Sequence, residues 1–136
     1  LAFLFISHDL NVVGVLASRV AVMYLGRLVE IGQTEDLYDD PLHPYSKALL
    51  AAIPRADPSV RGKNKALLKG ELPSATDPPK GCAFHPRCPI KELLCKQELP
   101  ELREVAPGRW VRCHLVEDQL PENVESKPEP NIDTPE

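Results

Sequence analysis

The sequence has no proline among its first forty residues although it holds 15 in all, and no cysteine before Cys82 or after Cys113. Residues 1–40 are therefore free to form uninterrupted elements, and the rest of the chain is repeatedly broken. An excess of basic charge is also missing. The formal net charge is −4, and residues 117–136 hold seven acidic side chains against only Lys127. That balance excludes the electrostatic footprint of a nucleic-acid binder. No apolar run approaches the roughly 20 residues that span a bilayer. "LAFLFI" has neither the basic flank nor the small-residue cleavage site of a signal peptide. No G-x-x-x-x-G-K-[ST] phosphate loop occurs anywhere. At 136 residues the chain fits one domain, and a domain of that size buries roughly 70% of its unfolded surface.

What is present begins with "AFLFIS" at 2–7, a continuous apolar run that predicts a strand covered on both faces, as in a parallel sheet. Asp9 is placed to cap a following helix, whose apolar face takes Leu10, Val13, Gly14 and Ala17 and which ends near Ser18. "RVAVMYLGRLVEIG" reads as a β-hairpin turning at Gly26-Arg27. Thr34 opens a short helix with an acidic start, which Pro41 ends. Pro44 suits the first turn of the next helix, with Tyr45, Leu49, Ala52 and Ile53 as its apolar stripe and Pro54 closing it. Prolines, glycines and charges from Arg55 to Gly81 predict an extended segment. The acidic, proline-bearing stretch after Leu115 predicts a disordered tail over 117–136.

In an open parallel sheet, ligands collect at the carboxyl ends of strands. His8 would stand at such an edge and could donate to a phosphate oxygen. On spacing alone, Ser7-His8-Asp9 is better read as a polar strand-to-helix turn.

Cys82, Cys88, Cys95 and Cys113 are spaced C-x5-C-x6-C-x17-C, with His85 and His114 beside them. Four cysteines allow two disulfides in three pairings, a metal site, or buried free thiols. In a cytoplasmic chain, kept reduced, metal ligation is favoured. Structural Zn2+ usually comes with a C-x2-4-C knuckle, which is missing here. Longer loops suit a [4Fe-4S] cluster, and Cys88-Pro89 matches the Cys-Pro that closes a ferredoxin run. His85 and His114 read as loop residues rather than ligands. Arg87, Arg109 and Arg112 are available to offset the negative charge of such a group.

"FLFISHDLNVVGVLASRVAVMYLGRLVEIG" resembles the segment that ends the nucleotide-binding domain of ABC transporter ATPases. "PLHPYSKALLAAIPR", "GELPSATDPPKGCAFHPRCP" and "VAPGRWVRCHL" resemble, in the same order, the extension of the oligopeptide/dipeptide importer branch. Ser18 departs from that pattern, which commonly has an acidic residue there. The resemblance implies an α/β fold: the C-terminal remnant of a P-loop ATPase domain over 1–40, then a small irregular Cys-rich extension over 41–116. It makes His8 the switch histidine of the H-loop, contacting the γ-phosphate of ATP bound with Mg2+. It adds weight to a [4Fe-4S] cluster at the four cysteines, with Zn2+ as the alternative. The Walker B pair and the Ser-Gly-Gly signature of the family are not in the 136 residues, so the chain reads as the end of a longer ATPase, inactive alone. Implied partners are a second ATPase subunit in a head-to-tail dimer, two membrane-spanning permease subunits and, indirectly, an extracytoplasmic peptide-binding protein. The implied location is the cytoplasmic face of the inner membrane. His43-Pro44-Tyr45 reads as packing at a helix start. A second hypothesis makes 41–116 a stand-alone metal-binding interaction module without nucleotide chemistry.

Overall fold

The computed structural model describes residues 2–53 and 71–117. The segment predicted to be extended is described only from residue 71, and the predicted tail lies almost wholly outside the described residues.

Ser7, His8 and Asp9 form the entry to α1 (Leu10–Leu16). The Ser7 Oγ accepts the Asp9 amide at 3.0 Å, and the Asp9 carboxylate accepts the amides of Asn11 and Val12. Helix starts leave such amides without intrahelical partners, so Asp9 caps α1 as its position predicts. The segment before it departs from expectation. Residues 2–7 are not a strand, and Phe3, Leu4 and Ile6 are at least 85% exposed. A strand needs a neighbouring backbone to take its amides and carbonyls, and none of the described strands pairs with 2–7.

β1 (Arg19–Tyr24) alternates, burying Val20, Val22 and Tyr24 and exposing the residues between them. β2 (Arg27–Gln33) pairs with it antiparallel. The turn sits one residue earlier than predicted, on Leu25-Gly26, both with positive φ (46° and 77°). Two left-handed residues match the twist of a tight hairpin, and the glycine takes the second at little cost. α2 (Thr34–Asp39) opens at Thr34 as predicted, with the Thr34 hydroxyl donating to the Ala17 carbonyl. α1 rests on α2 through Tyr38, whose hydroxyl donates to the Leu10 carbonyl. A Cβ on Gly14 would come within 2.9 Å of the Tyr38 ring.

α3 (Pro44–Ala51) buries Pro44, Ser46 and Ala48, with Tyr45 and Leu49 packed on the core. Ala52, assigned to the buried stripe from sequence, is exposed. The later part of the chain was expected to be irregular. Instead β3 (Arg103–Ala106) and β4 (Arg109–Val111) form a second hairpin, closed by Gly108 at φ 75°. β4 pairs with β2, giving one antiparallel sheet in the order β1-β2-β4-β3. The expected parallel layer is thus replaced, among the described residues, by an antiparallel sheet with short helices. β2 is one of its two interior strands and buries four consecutive residues, Val29 to Gly32.

The main core joins Val20, Val22, Tyr24, Val29 and Leu37 to Ala83 and Phe84 of the cysteine loop. A second cluster unites Leu42, Val105, Val111 and Cys113, and a third unites Ile31, Trp110 and Leu102. Each fully buried Leu or Phe contributes about 1.5 to 3 kcal/mol, so Leu37 and Phe84, both about 1% exposed, fasten α2 and the cysteine loop to the sheet.

Candidate functional site

His8 is exposed, and its backbone is held from both sides by the Ser7 and Asp9 hydrogen bonds. An imidazole so presented can donate or accept a proton or hydrogen bond. The electrostatic neighbours of the cysteine thiols include one another, Lys91 and Arg103.

The four cysteines come together from three pieces of chain. Cys82 lies in the loop after Gly81, Cys88 ends a short 3-10 turn over His85–Arg87, and Cys95 sits in α4 (Leu94–Gln97). Cys113 follows β4. The Cys82 amide donates to the Cys95 carbonyl at 2.9 Å. The close approach depends on Gly81, whose φ is 71° and where a Cβ would lie 2.5 Å from the Cys95 carbonyl oxygen. Cys82 feels Cys113, Cys95 and Cys88, and Cys88 feels Cys113 and Cys95.

Burial lifts the thiols of Cys82, Cys88 and Cys113 above their ordinary range, and the neighbouring thiols add to it. Backbone amides act against burial: Phe84 donates to Cys82, Ile90 to Cys88, and Leu115 and Val116 to Cys113. Three of the sulfurs thus receive an amide from two residues further on, a contact that favours the thiolate. Among the described residues no three His, Cys, Asp or Glu groups stand close enough to enclose a single metal ion. The gathering is looser than that.

Two cations that the sequence reading does not name act on the sulfurs. Lys91 lies near Cys88 and Arg103 near Cys113. Arg103 also donates to the carbonyls of Cys113 and Val116. Arg109 is committed to Glu30 at 3.4 Å and to Asp40, and Arg112 to the carbonyls of Leu28 and Pro100. Lys91 and Arg103 carry no sequence signal beyond charge, since only folding brings them beside the thiols. His85 Nδ1 pairs with the Cys82 carbonyl and His114 Nε2 with the Glu98 carbonyl, which gives both rings backbone partners.

His43 is buried and serves as the cap of α3. Its Nδ1 accepts the Tyr45 amide at 3.0 Å, and its ring also bonds the backbone of Arg112. Burial pushes its pKa down to about 4, with the Arg112 carbonyl opposing. A neutral ring that accepts at one nitrogen and donates at the other fits both contacts. Phe84, from the cysteine loop, stands against His43, Tyr45 and Tyr24 at centroid distances of 5.8, 5.5 and 5.3 Å. The His-Pro-Tyr motif is therefore a packing device that seats the cysteine loop.

Residues 29–95 match the family described as the C-terminal region of oligopeptide/dipeptide transporters. Over 117 residues the chain is 52% identical to the oligopeptide transport ATP-binding protein AppF of Bacillus subtilis, covering 85% of this chain and 35% of AppF. It is 52% identical over 116 residues to YkfD of the same organism, whose name includes the words oligopeptide transport ATP-binding protein, with the same shares covered. It is 50% identical over 115 residues to y4tS of Sinorhizobium fredii, whose name includes the words peptide ABC transporter ATP-binding protein, covering 85% of this chain and 32% of y4tS. The chain spans about a third of the length of these relatives. The stretch from Val29 to Cys95 that matches the oligopeptide/dipeptide transporter C-terminal region takes in the His-Pro-Tyr helix start and three of the four cysteines.

Proposed function

We propose that this chain forms the C-terminal part of an ATP-hydrolysing subunit of a bacterial ABC importer for oligopeptides or dipeptides. The observation that carries the reading is the 52% identity to an oligopeptide transport ATP-binding protein across 85% of the chain. The second hypothesis, a stand-alone metal-binding module, gains nothing from the relatives, all of which bear ATP-binding names. In this reading the subunit works as a head-to-tail pair with a second ATPase subunit beneath two permease subunits at the cytoplasmic face of the membrane. Peptide reaches the permease from an extracytoplasmic binding protein. Among the described residues no helix is long and apolar enough to cross a membrane.

His8 is assigned the γ-phosphate of ATP, bound with Mg2+. Phosphoryl transfer depends on positioning and charge stabilisation, so one placed donor weighs heavily. The Ser7 and Asp9 contacts support this role by fixing the backbone on either side of an exposed imidazole. No phosphate loop stands in the 136 residues, so turnover requires a chain that also carries one. In such a subunit His8→Ala should lower ATP turnover by two or more orders of magnitude and leave ATP binding nearly intact. Unchanged turnover would reject the role.

The four cysteines are assigned a [4Fe-4S] cluster, with Zn2+ as the alternative ligand. A zinc ion at about 2.3 Å from each sulfur holds them about 3.8 Å apart. Among the described residues no three His, Cys, Asp or Glu groups stand close enough to hold a metal ion, so the assignment rests on the cysteine spacing and the resemblance, with the amides at the sulfurs, a recurrent means of tuning clusters, in its favour. When bound, the group supplies a covalent staple across three pieces of chain with little core of their own. Iron, acid-labile sulfide and zinc analysis of anaerobically purified protein decides it: stoichiometric zinc without sulfide would reject the cluster.

A further inference from the structure

None of the residues of α1 is fully buried, and Val12, Val15 and Leu16 are exposed, so the helix that follows His8 depends on what grips it from outside. α2 grips it at both ends. Behind α1 the Thr34 amide donates to the Ser18 carbonyl at 3.0 Å, and the Thr34 hydroxyl donates to the Ala17 carbonyl. At the first turn the Tyr38 hydroxyl donates to the Leu10 carbonyl. Burial and, after it, the Asp9 carboxylate raise the Tyr38 pKa, which places the cap of α1 within electrostatic reach of that hydroxyl; a hydrogen bond from the Gly14 backbone acts the other way. The ring is seated on Gly14, where a Cβ would stand 2.9 Å from Cε1 and 3.2 Å from Cζ. α2 is itself fixed, because Leu37 is 1% exposed in the main core.

We propose that Tyr38 is a positioning residue for His8: by holding the Leu10 carbonyl it fixes the first turn of α1 and, through the Asp9 cap, the imidazole that precedes it. The inference rests on the reading of His8 as the residue that meets the γ-phosphate. The path from Tyr38 to His8 is short and hydrogen-bonded throughout. Leu10 follows Asp9, whose carbonyl accepts the Val13 amide at 3.1 Å, whose carboxylate accepts the Asn11 and Val12 amides, and whose own amide is held by Ser7. A donor contributes to phosphoryl transfer only when its direction is set beforehand, so a small rotation of this turn weakens the donor without touching ATP binding. Tyr38 lies inside the matched stretch 29–95 and His8 outside it, so this contact lets the C-terminal region act on the His8 turn.

The test uses a subunit that carries both this chain and a phosphate loop, as wild type, Tyr38→Phe, His8→Ala and the double variant. ATP turnover is one readout, and amide hydrogen exchange of the nucleotide-free protein is the other. Tyr38→Phe keeps the ring on Gly14 and removes the hydroxyl. It should lower kcat about tenfold, the worth of about one hydrogen bond, and leave KM for ATP within about twofold. The amides of Val13 and Gly14 should exchange about tenfold faster while those of α2 keep their wild-type rates. In the His8→Ala background Tyr38→Phe should lower turnover no further, because the side chain it places is gone. An unchanged kcat, unchanged exchange in α1, or an equal drop in both backgrounds would overturn the assignment while the role of His8 stands. Wild-type turnover in His8→Ala would overturn that role, and this inference with it. Should Tyr38→Phe not fold, Gly14→Ala presses a methyl against the same ring from the other side. It should lower kcat only where His8 is present, and no loss, or a loss that persists without His8, refutes the clamp.

Discussion

The Glu30 carboxylate accepts the backbone amides of Leu42 and His43, each at 2.9 Å, and so ties the start of α3 to the middle of β2. Glu30 is 1% exposed and its charge is met by Arg109 of β4, which also reaches Asp40 at the end of α2. One buried carboxylate therefore joins two strands and the α2–α3 connection. Its position carries the His-Pro-Tyr turn, and with it the seat of Phe84.

Glu30→Gln should destabilise the fold by about 2 to 4 kcal/mol, because one amide loses its acceptor and the Arg109 charge is left without its buried partner. Urea denaturation gives the value directly. A loss below about half a kcal/mol would show that water meets these groups equally well. Arg109→Met added to Glu30→Gln should cost less than the two changes summed, since they remove one shared interaction.

His43 makes stability pH-dependent. Its folded pKa of about 4 lies below its ordinary value near 6.5, because burial disfavours the charged ring. The unfolded chain therefore binds the proton more readily. The contribution is fully present above about pH 6.5 and is lost as pH falls toward 4, by about 3 kcal/mol in all. His43→Asn keeps a side-chain acceptor for the Tyr45 amide and cannot titrate. Its urea midpoint should be flatter than that of wild type across this window, and a slope equal to wild type would assign the titration elsewhere.

Much of this was legible locally. Asp9 before an apolar periodic run, Thr34 ahead of two acids, and Pro44 after a histidine act within a few residues, and each starts the helix it predicts. The hairpin was legible too, but not its exact turn. Leu25 takes a left-handed φ that its type disfavours, so glycine alone misplaced the turn by one residue. What could not be read is non-local. The pairing of β2 with β4 joins Ile31 to Trp110, and Glu30 finds Arg109 only 79 positions later. The run at 2–7 has the composition of a buried strand, yet composition does not supply a neighbour. Of the cysteine site, the four cysteines themselves were visible in the spacing. Lys91 and Arg103 were not, because their nearness to the thiols is a product of the fold.

Gly81 and Gly26 both have positive φ, and they should respond differently to alanine. At Gly26 nothing lies within 4 Å of the added Cβ, so the cost is the left-handed backbone alone, about 1 to 2 kcal/mol. At Gly81 the Cβ meets the backbone of Cys95 and Lys96 at 2.5 and 2.8 Å, and neither can move without shifting α4. Gly81→Ala should cost more than about 2 kcal/mol and expose the buried Cys95 to thiol reagents. Equal Cys95 reactivity in the two variants would show that the Gly81 contact does not hold the site together.

Phe84→Ala tests whether the cysteine loop depends on the aromatic seat. The side chain is 1% exposed against Tyr24, His43 and Tyr45, and large-to-small changes at such sites cost about 3 to 5 kcal/mol. Phe84→Leu refills most of the volume and should recover more than half of that loss. If Phe84→Ala melts at the wild-type temperature, the loop is held by its cysteines and not by packing.

The raised thiols of Cys82, Cys88 and Cys113 predict the proton balance of metal binding. Burial and neighbouring thiols keep these groups protonated at neutral pH, whereas a metal takes the thiolate. Each ligated thiol must then release about one proton, and affinity should rise about tenfold per pH unit for every proton released. Calorimetric titration of metal-free, reduced protein with Zn2+ in two buffers of different ionisation heat measures that number. Three or more protons released near pH 7 would agree with these thiols acting as ligands together. Release of fewer than two would mean that the sulfurs either ionise before binding or do not all bind, and the amides of Phe84, Ile90 and Leu115 would then outweigh burial in setting their charge.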